Sequence, residues 1–317
     1  MVFAGDSGFR NIRIANRVSP CHSASPVKMK NRKNVSEADA TDKEVSKSKG
    51  AKPAATSKKQ SLAPFPIVGI GASAGGLDAF TEFLKHLPLD TGMGFVLVQH
   101  LDPQHASALP QLLARATSMR VSEVTNNLRV EPNHIYVIPP NANLSIVRGA
   151  LKLQPRQARR VPHHSVDFFF ESLARDRRER AIGVILSGTA TDGMVGMEAI
   201  KAEGGITFAQ DDSARYDSMP RSAIAAGCVD FVLSPENIAD ELARIAKHPY
   251  VAGHPPERVA PSEAEKESAA KNGFKKILLL LRNHSGMDFS LYKSNTIQRR
   301  IARRMLLNKI NRPDDYA

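Results

Sequence analysis

The strongest constraint on this chain is a run of five small residues, Gly71-Ala72-Ser73-Ala74-Gly75, set between an apolar run (residues 65–70) and a helical pattern (residues 77–84). A strand that passes through such a turn into a helix holds one serine on a sharp bend, its oxygen at the carboxyl edge of a sheet. This is the nucleophile-elbow pattern G-x-S-x-G. The flanking residues must be small because the turn crowds its neighbours, and glycine tolerates dihedrals that other residues resist. The same letters fit a second pattern: Gly69, Gly71 and Ala74 satisfy the dinucleotide fingerprint G-x-G-x-x-G/A between a strand and a helix.

The two patterns diverge at the end of the next strand. A dinucleotide site calls for Asp or Glu there, to hold the ribose hydroxyls. Here the run Gly94-Phe95-Val96-Leu97-Val98-Gln99 ends in His100, and a histidine beside a serine suits a nucleophile and its base. A third strand-like run, residues 181–186, leads through Ser187-Gly188-Thr189-Ala190-Thr191-Asp192-Gly193 into a helical pattern over residues 194–203. Asp192 therefore occupies another strand-to-helix turn. An Asp there can orient a His, which in turn takes the serine proton. Taken singly, a His at a strand end is usually structural and an Asp before Gly is usually a cap. Their joint placement with Ser73 points to a triad.

At these residues the chain resembles the catalytic domain of the chemotaxis protein-glutamate methylesterases, the CheB family. The matching motifs are Ile70-Gly71-Ala72-Ser73-Ala74-Gly75-Gly76, Val98-Gln99-His100 and Gly188-Thr189-Ala190-Thr191-Asp192-Gly193. Ser165-Val166-Asp167, opening a helix, and Met219-Pro220-Arg221-Ser222-Ala223-Ile224, before another, match as well. The resemblance implies Ser73 as nucleophile, His100 as general base and Asp192 as the orienting carboxylate. It implies a γ-glutamyl methyl ester on a methyl-accepting chemoreceptor helix as substrate, with glutamine deamidation a second activity of some members. No cofactor and no metal are expected. Two positions depart from the family pattern: Ala74 stands where many members carry Thr, and Thr189 where the usual residue is Met. In the family the loop around Thr189 is held to bind the oxyanion through a backbone N–H, which Thr retains.

Alternating strands and helices predict an α/β fold, a doubly wound, mostly parallel sheet. The short runs at residues 121–124, 134–138, 144–147 and 151–153 predict a β-hairpin insertion, and a helix is expected near residues 105–117. The expected organisation is a disordered tail over residues 1–62, a catalytic domain over 63–250, a linker over 251–263 and a C-terminal helical segment over 264–317. The net charge of +12 sits mainly in the tail, where residues 1–60 carry 13 Lys and Arg against 5 Asp and Glu. A Ser-, Ala- and Lys-rich tail without periodicity reads as a solvated segment, and no aromatic-interleaved basic sheet supports sequence-specific nucleic-acid binding. No apolar run approaches membrane-spanning length and no signal-peptide core is present, so a cytoplasmic protein with no membrane insertion is expected. Cys21 and Cys228 have no metal-ligand spacing, and His163-His164 has no acidic or Cys partner spaced for a metal. The oligomeric state is left open.

Residues 270–317 resemble a second family. Gly286-Met287-Asp288-Phe289-Ser290, Tyr292-Lys293 and Thr296-Ile297, with Arg299-Arg300-Ile301 and Arg303-Arg304-Met305, match the N-terminal helical subdomain of the receptor methyltransferases, the CheR family. Ile297, Ile301 and Met305 form an apolar stripe; Arg299, Arg300, Arg303 and Arg304 form a basic side, either solvated or a dock for acidic receptor helices. The expectation is a fragment of an esterase–methyltransferase fusion, without methyltransferase activity and without an N-terminal receiver domain. Two other readings stay open: a dinucleotide-binding oxidoreductase and a catalytically silent signalling scaffold.

Overall fold

A computed structural model describes residues 65–100, 108–155, 164–252 and 263–317. The expected tail, Cys21, His163 and nearly all of the expected linker lie outside the described residues.

The first half of the catalytic region runs β1 (Ile67–Ala72), α1 (Gly76–His86), β2 (Gly94–Gln99), α2 (Leu109–Leu113), β3 (Arg120–Glu123), β4 (Leu128–Arg129), β5 (His134–Val137), β6 (Ala142–Val147) and β7 (Ala150–Pro155). It continues with α3 (Ser165–Arg177), a 3₁₀ turn (Arg178–Arg180), β8 (Ala181–Ile185), α4 (Met194–Ala202), β9 (Ile206–Gln210), α5 (Ser218–Ala225), β10 (Phe231–Leu233), α6 (Pro235–Ala246) and α7 (Pro249–Ala252). Seven strands form one parallel sheet in the order β10-β9-β8-β1-β2-β5-β3. The chain builds outward from β1 through β2, returns along α3, and builds the other way from β8. The order thus reverses between β1 and β8, where open α/β sheets leave a crevice at their carboxyl ends.

Both faces of the sheet are covered, and the period-two alternation of the strands sorts side chains between two cores. Val68, Ile70, Phe95, Leu97, Ile182 and Val184 pack toward α1 and α6. Val96, Val98 and Ile185 pack toward α3, with Phe169, Phe170 and Leu173. Gly71 faces α3 so closely that a Cβ would meet Val166 Cγ1 at 2.4 Å. That contact brings the first turn of α3 onto the end of β1.

The short-strand region differs from expectation in part. β6 and β7 form the expected hairpin, joined by β4 in a small antiparallel sheet. β3 and β5 instead extend the main sheet in parallel. The helix expected near residues 105–117 is described only as α2.

The C-terminal helices are α8 (Glu263–Ser285), α9 (Ser294–Leu307) and α10 (Pro313–Tyr316). The expected stripe forms a small core: Ile301 and Met305 pack with Ile277, flanked by Phe274, Ile297 and Tyr316. The other side of α9 docks on the catalytic region. Leu306 is fully buried in the α1–α6 core, and its carbonyl accepts from Arg244 Nη2 at 3.1 Å. Arg303 Nη2 donates to Asp230 Oδ2 at 2.6 Å and to the Gly205 carbonyl at 3.0 Å, while Arg299 pairs with Glu179. Glu179, Gly205 and Asp230 precede β8, β9 and β10, so α9 sits at the amino edge of the sheet. Two of the four arginines expected to form a free basic side are therefore held within the chain.

This docking carries an expected cost when broken. The Asp230 side chain is buried and also accepts from the Thr207 N–H and hydroxyl, each at 3.1 Å. Arg303→Ala removes the nearest cation and leaves Lys201 Nζ at 3.5 Å from the other carboxylate oxygen, so a cost of about 1–3 kcal/mol is expected, below that of a buried charge left with no partner. A clear drop in melting temperature is expected, with turnover of the folded protein unchanged because the contact lies at the amino edge. An unchanged melting temperature would contradict the docking.

Candidate active site

Ser73, His100 and Asp192 follow β1, β2 and β8, the strands flanking the point where the sheet order reverses. Parallel pairing sets Ala72 beside Gln99 and Gly71 beside Ile185, so the three turns emerge side by side. The structure brings the three side chains into one line. His100 Nδ1 lies 3.3 Å from Ser73 Oγ, and His100 Nε2 lies 2.8 Å from Asp192 Oδ2.

Asp192 is the anchor of that line. It is buried, and its two oxygens accept the backbone N–H of Val166 (Oδ2, 2.9 Å) and of Asp167 (Oδ1, 2.9 Å) in the first turn of α3. Burial alone would raise its pKa. The hydrogen bond from His100, the two N–H groups and the imidazole charge outweigh burial and hold the carboxyl below its ordinary range. A carboxylate only accepts, so His100 Nε2 carries the hydrogen and Nδ1 presents its lone pair to the serine hydroxyl. A hydroxyl, an imidazole and a carboxylate in this sequence can move a proton off the serine and hold the charge that results.

The turn itself needs Gly75. Its φ is +74°, and a Cβ there would meet Ser187 Oγ at 2.6 Å. Ser187 is a residue that sequence reasoning passed over, although it follows the third strand run directly. Its carbonyl accepts the Ser73 N–H at 3.0 Å, its hydroxyl donates to the Ala74 carbonyl at 2.9 Å, and that hydroxyl accepts the Tyr216 N–H at 3.0 Å. One buried side chain thus ties the serine turn to the loop after β9. Ser187→Ala leaves the Ala74 carbonyl and the Tyr216 N–H without this partner. The expected cost is about 1–3 kcal/mol of stability, together with a lower turnover read on the folded fraction. Wild-type melting and turnover would show that Ser187 does not hold the turn. Gln99, which the sequence shows only as part of a motif, braces the turn as well; its Nε2 donates to the Ser73 carbonyl at 3.3 Å.

Two sequence expectations change here. The glycines of the dinucleotide fingerprint face α3: a Cβ on Gly69 would meet Phe169 and Phe170 at 2.9 Å, and one on Gly71 would meet Val166. Their smallness serves helix–sheet packing. His164, read as lacking acidic partners, has two, with Nδ1 3.5 Å from Asp167 Oδ2 and 3.7 Å from Asp192 Oδ1. The three groups offer ligand atoms within 4.8 Å of one another. Both Asp192 oxygens are already engaged, so a cation there would compete with the His100 bond and the α3 N–H groups. Cys228 is buried with a free thiol that burial pushes up in pKa, and it touches none of these residues in a described bond.

Residues 68–242, more than half of the sequence, match the family model described as CheB methylesterase. The chain belongs to the CheB methylesterase family. A solved CheB relative, the methylesterase catalytic domain of Thermotoga maritima, superposes with a TM-score of 0.53 at 28% identity, covering 58% of this chain and all of that one. A Leptospira interrogans protein provisionally named a protein-glutamate methylesterase/protein-glutamine glutaminase is 33% identical over 57% of this chain and 95% of its own. A protein-glutamate methylesterase/protein-glutamine glutaminase of Burkholderia orbicola is 36% identical over 57% of this chain and 55% of its own. An uncharacterized 104.1 kDa protein of Rhodobacter capsulatus is 35% identical over 64% of this chain, which spans only 23% of it. Beyond the CheB region, residues 272–317 match the all-alpha domain of CheR methyltransferases. Among the described residues no helix is long and apolar enough to cross a membrane.

Proposed function

We propose that this chain hydrolyses γ-glutamyl methyl esters on methyl-accepting chemoreceptor helices, with Ser73 as nucleophile, His100 as general base and Asp192 as its orienting carboxylate. The observation that carries this reading is the continuous Ser73–His100–Asp192 line at the carboxyl edge of a CheB-type sheet.

In the first half-reaction Ser73 Oγ adds to the ester carbonyl carbon as its proton passes to His100 Nδ1. The imidazolium is held by Asp192, whose two remaining hydrogen bonds come from backbone that cannot swing away. The tetrahedral adduct collapses when methanol leaves with the proton from His100, and the glutamyl group remains on Ser73. In the second half a water gives its proton to His100 as its oxygen adds to the acyl carbon, and the adduct collapses when Ser73 Oγ leaves with the proton from His100, freeing a glutamate. The oxyanion formed in each half needs donors. The Ser73 N–H is already bonded to Ser187. The Ala74 N–H, just ahead of α1 and near its positive end, makes no described hydrogen bond and is assigned as one donor. Loss of a threonine hydroxyl at residue 74 leaves that backbone donor in place. The same steps with ammonia as leaving group would deamidate a receptor glutamine.

The test is incubation of the chain with receptor helices carrying either glutamyl methyl esters or glutamines. Loss of methyl groups is expected from the first and ammonia from the second. Intact methyl esters after prolonged incubation with folded protein would refute the reading, and nucleotide co-purifying with the chain would favour the dinucleotide alternative.

A further inference from the structure

Asp167 lies outside the Ser73–His100–Asp192 line, yet it is locked to it by a reciprocal arrangement. Asp192, in the turn into α4, accepts two N–H groups from the first turn of α3. Asp167, in the first turn of α3, accepts the N–H of Gly196 in the first turn of α4, at 2.8 Å. Each helix start is thus capped by a carboxylate tied to the other. Both carboxylates are buried, and they sit close enough to share a ligand-sized site with His164.

Two buried carboxyls at such short range do not ionise independently. Burial pushes Asp167 up to about 6, against the pull of the Gly196 N–H, and the neighbouring Asp192 adds to the rise while His164 opposes it. Asp192 stays on the low side because His100 and the α3 N–H groups hold it there. The groups that act on Asp167 are therefore Asp192 and His164, with His100 reaching it through Asp192.

We propose that Asp167 is a positioning residue for the hydrolysis: its bond to Gly196 fixes the turn that carries Asp192, and its charge, placed behind Asp192, favours the imidazolium of His100. The proposal rests on the triad reading above. In mild acid the protonated carboxyl of Asp167 can donate to Asp192 and drain the acceptor that His100 uses. Above that range both carboxylates are charged and the pull on the imidazolium is greatest. The linkage has a definite sign for stability. Asp167 has a raised folded pKa, so its favourable contribution is present below its ordinary value near 3.8 and is lost as pH rises through about 6.

Two variants separate charge from clamp. Asp167→Asn keeps an oxygen for the Gly196 N–H and removes the charge; Asp167→Ala removes both. For Asp167→Asn the plateau turnover is expected to stay within a few-fold of wild type. The acid limb of its kcat/KM profile should move to lower pH, because removing a negative charge from behind Asp192 disfavours the protonated form of the base. Its melting temperature relative to wild type should rise between pH 4 and pH 7. Asp167→Ala should lose about tenfold or more in kcat at unchanged KM, since a loosened Asp192 turn misplaces the base. Circular dichroism shows whether each variant is folded. An acid limb of Asp167→Asn that coincides with wild type overturns the proposal, whatever Asp167→Ala does, because a purely structural residue changes the folded fraction and leaves that limb in place. Ser73→Ala is run alongside: if it keeps wild-type turnover, the triad reading fails and not merely the role of Asp167.

Discussion

Ser73→Ala is expected to lower hydrolysis of a glutamyl methyl ester by about 10⁶-fold, and His100→Ala by a similar factor, as when a nucleophile or its base is lost from a comparable triad. The fold should survive both changes. Ser73 and His100 are only half-buried, and the backbone bonds of the serine turn run through Ser187 and not through the Ser73 hydroxyl. The double variant should be no worse than either single one, because a base without its nucleophile has nothing to deprotonate. Activity in the wild type should also fall in acid, since a protonated imidazole cannot accept the serine proton. A double variant whose loss is the product of the two single losses would mean that the two residues act separately.

Asp192→Asn is expected to cost about 10⁴-fold in kcat, less than loss of the nucleophile but far more than a surface change. The carboxylate does three things that an amide cannot do together. It accepts from His100 Nε2, it accepts two α3 N–H groups, and it carries the charge that stabilises the imidazolium. An amide nitrogen at the Oδ2 position would face the His100 Nε2–H, so the imidazole would turn or change tautomer, and one at the Oδ1 position would face the Asp167 N–H and loosen the turn. The substitution should also lower stability at neutral pH. Asp192 has a depressed folded pKa, so its contribution is present above the ordinary carboxyl range and is lost as pH falls through the folded value. Wild type and variant should therefore converge in melting temperature in strong acid. Equal kcat for the two proteins at neutral pH would remove Asp192 from the mechanism.

The parts legible from sequence are those in which one local pattern decides the outcome. Ser73, His100 and Asp192 each end a strand-like run, and in a parallel sheet all such ends share an edge, so their meeting required only the correct strand neighbours. The apolar stripe Ile297–Ile301–Met305 was legible in the same way, through its spacing along one helix. What stayed hidden depends on contacts between distant segments. Nothing local distinguishes β3 and β5, which join the main sheet, from β6 and β7, which pair with each other, because all four are short strands bounded by turns. Arg299 and Arg303 look like a solvated basic face until Glu179 and Asp230, more than seventy residues away, come to meet them. Asp167 was visible only as part of a motif; its place against Asp192 and Gly196 follows from the close approach of α3 to β1 over Gly71. Ser187 reads as an ordinary turn residue, and its role emerges only when the loop after β9 arrives beside it.

The central claim is most directly tested by a single-turnover reaction of excess protein with a receptor helix bearing glutamyl methyl esters, measuring methanol and mapping any protein-bound glutamyl group after an acid quench. The account predicts methanol release by wild type with the glutamyl adduct on Ser73, and neither methanol nor adduct with Ser73→Ala. Methanol release at the wild-type rate by folded Ser73→Ala would contradict it.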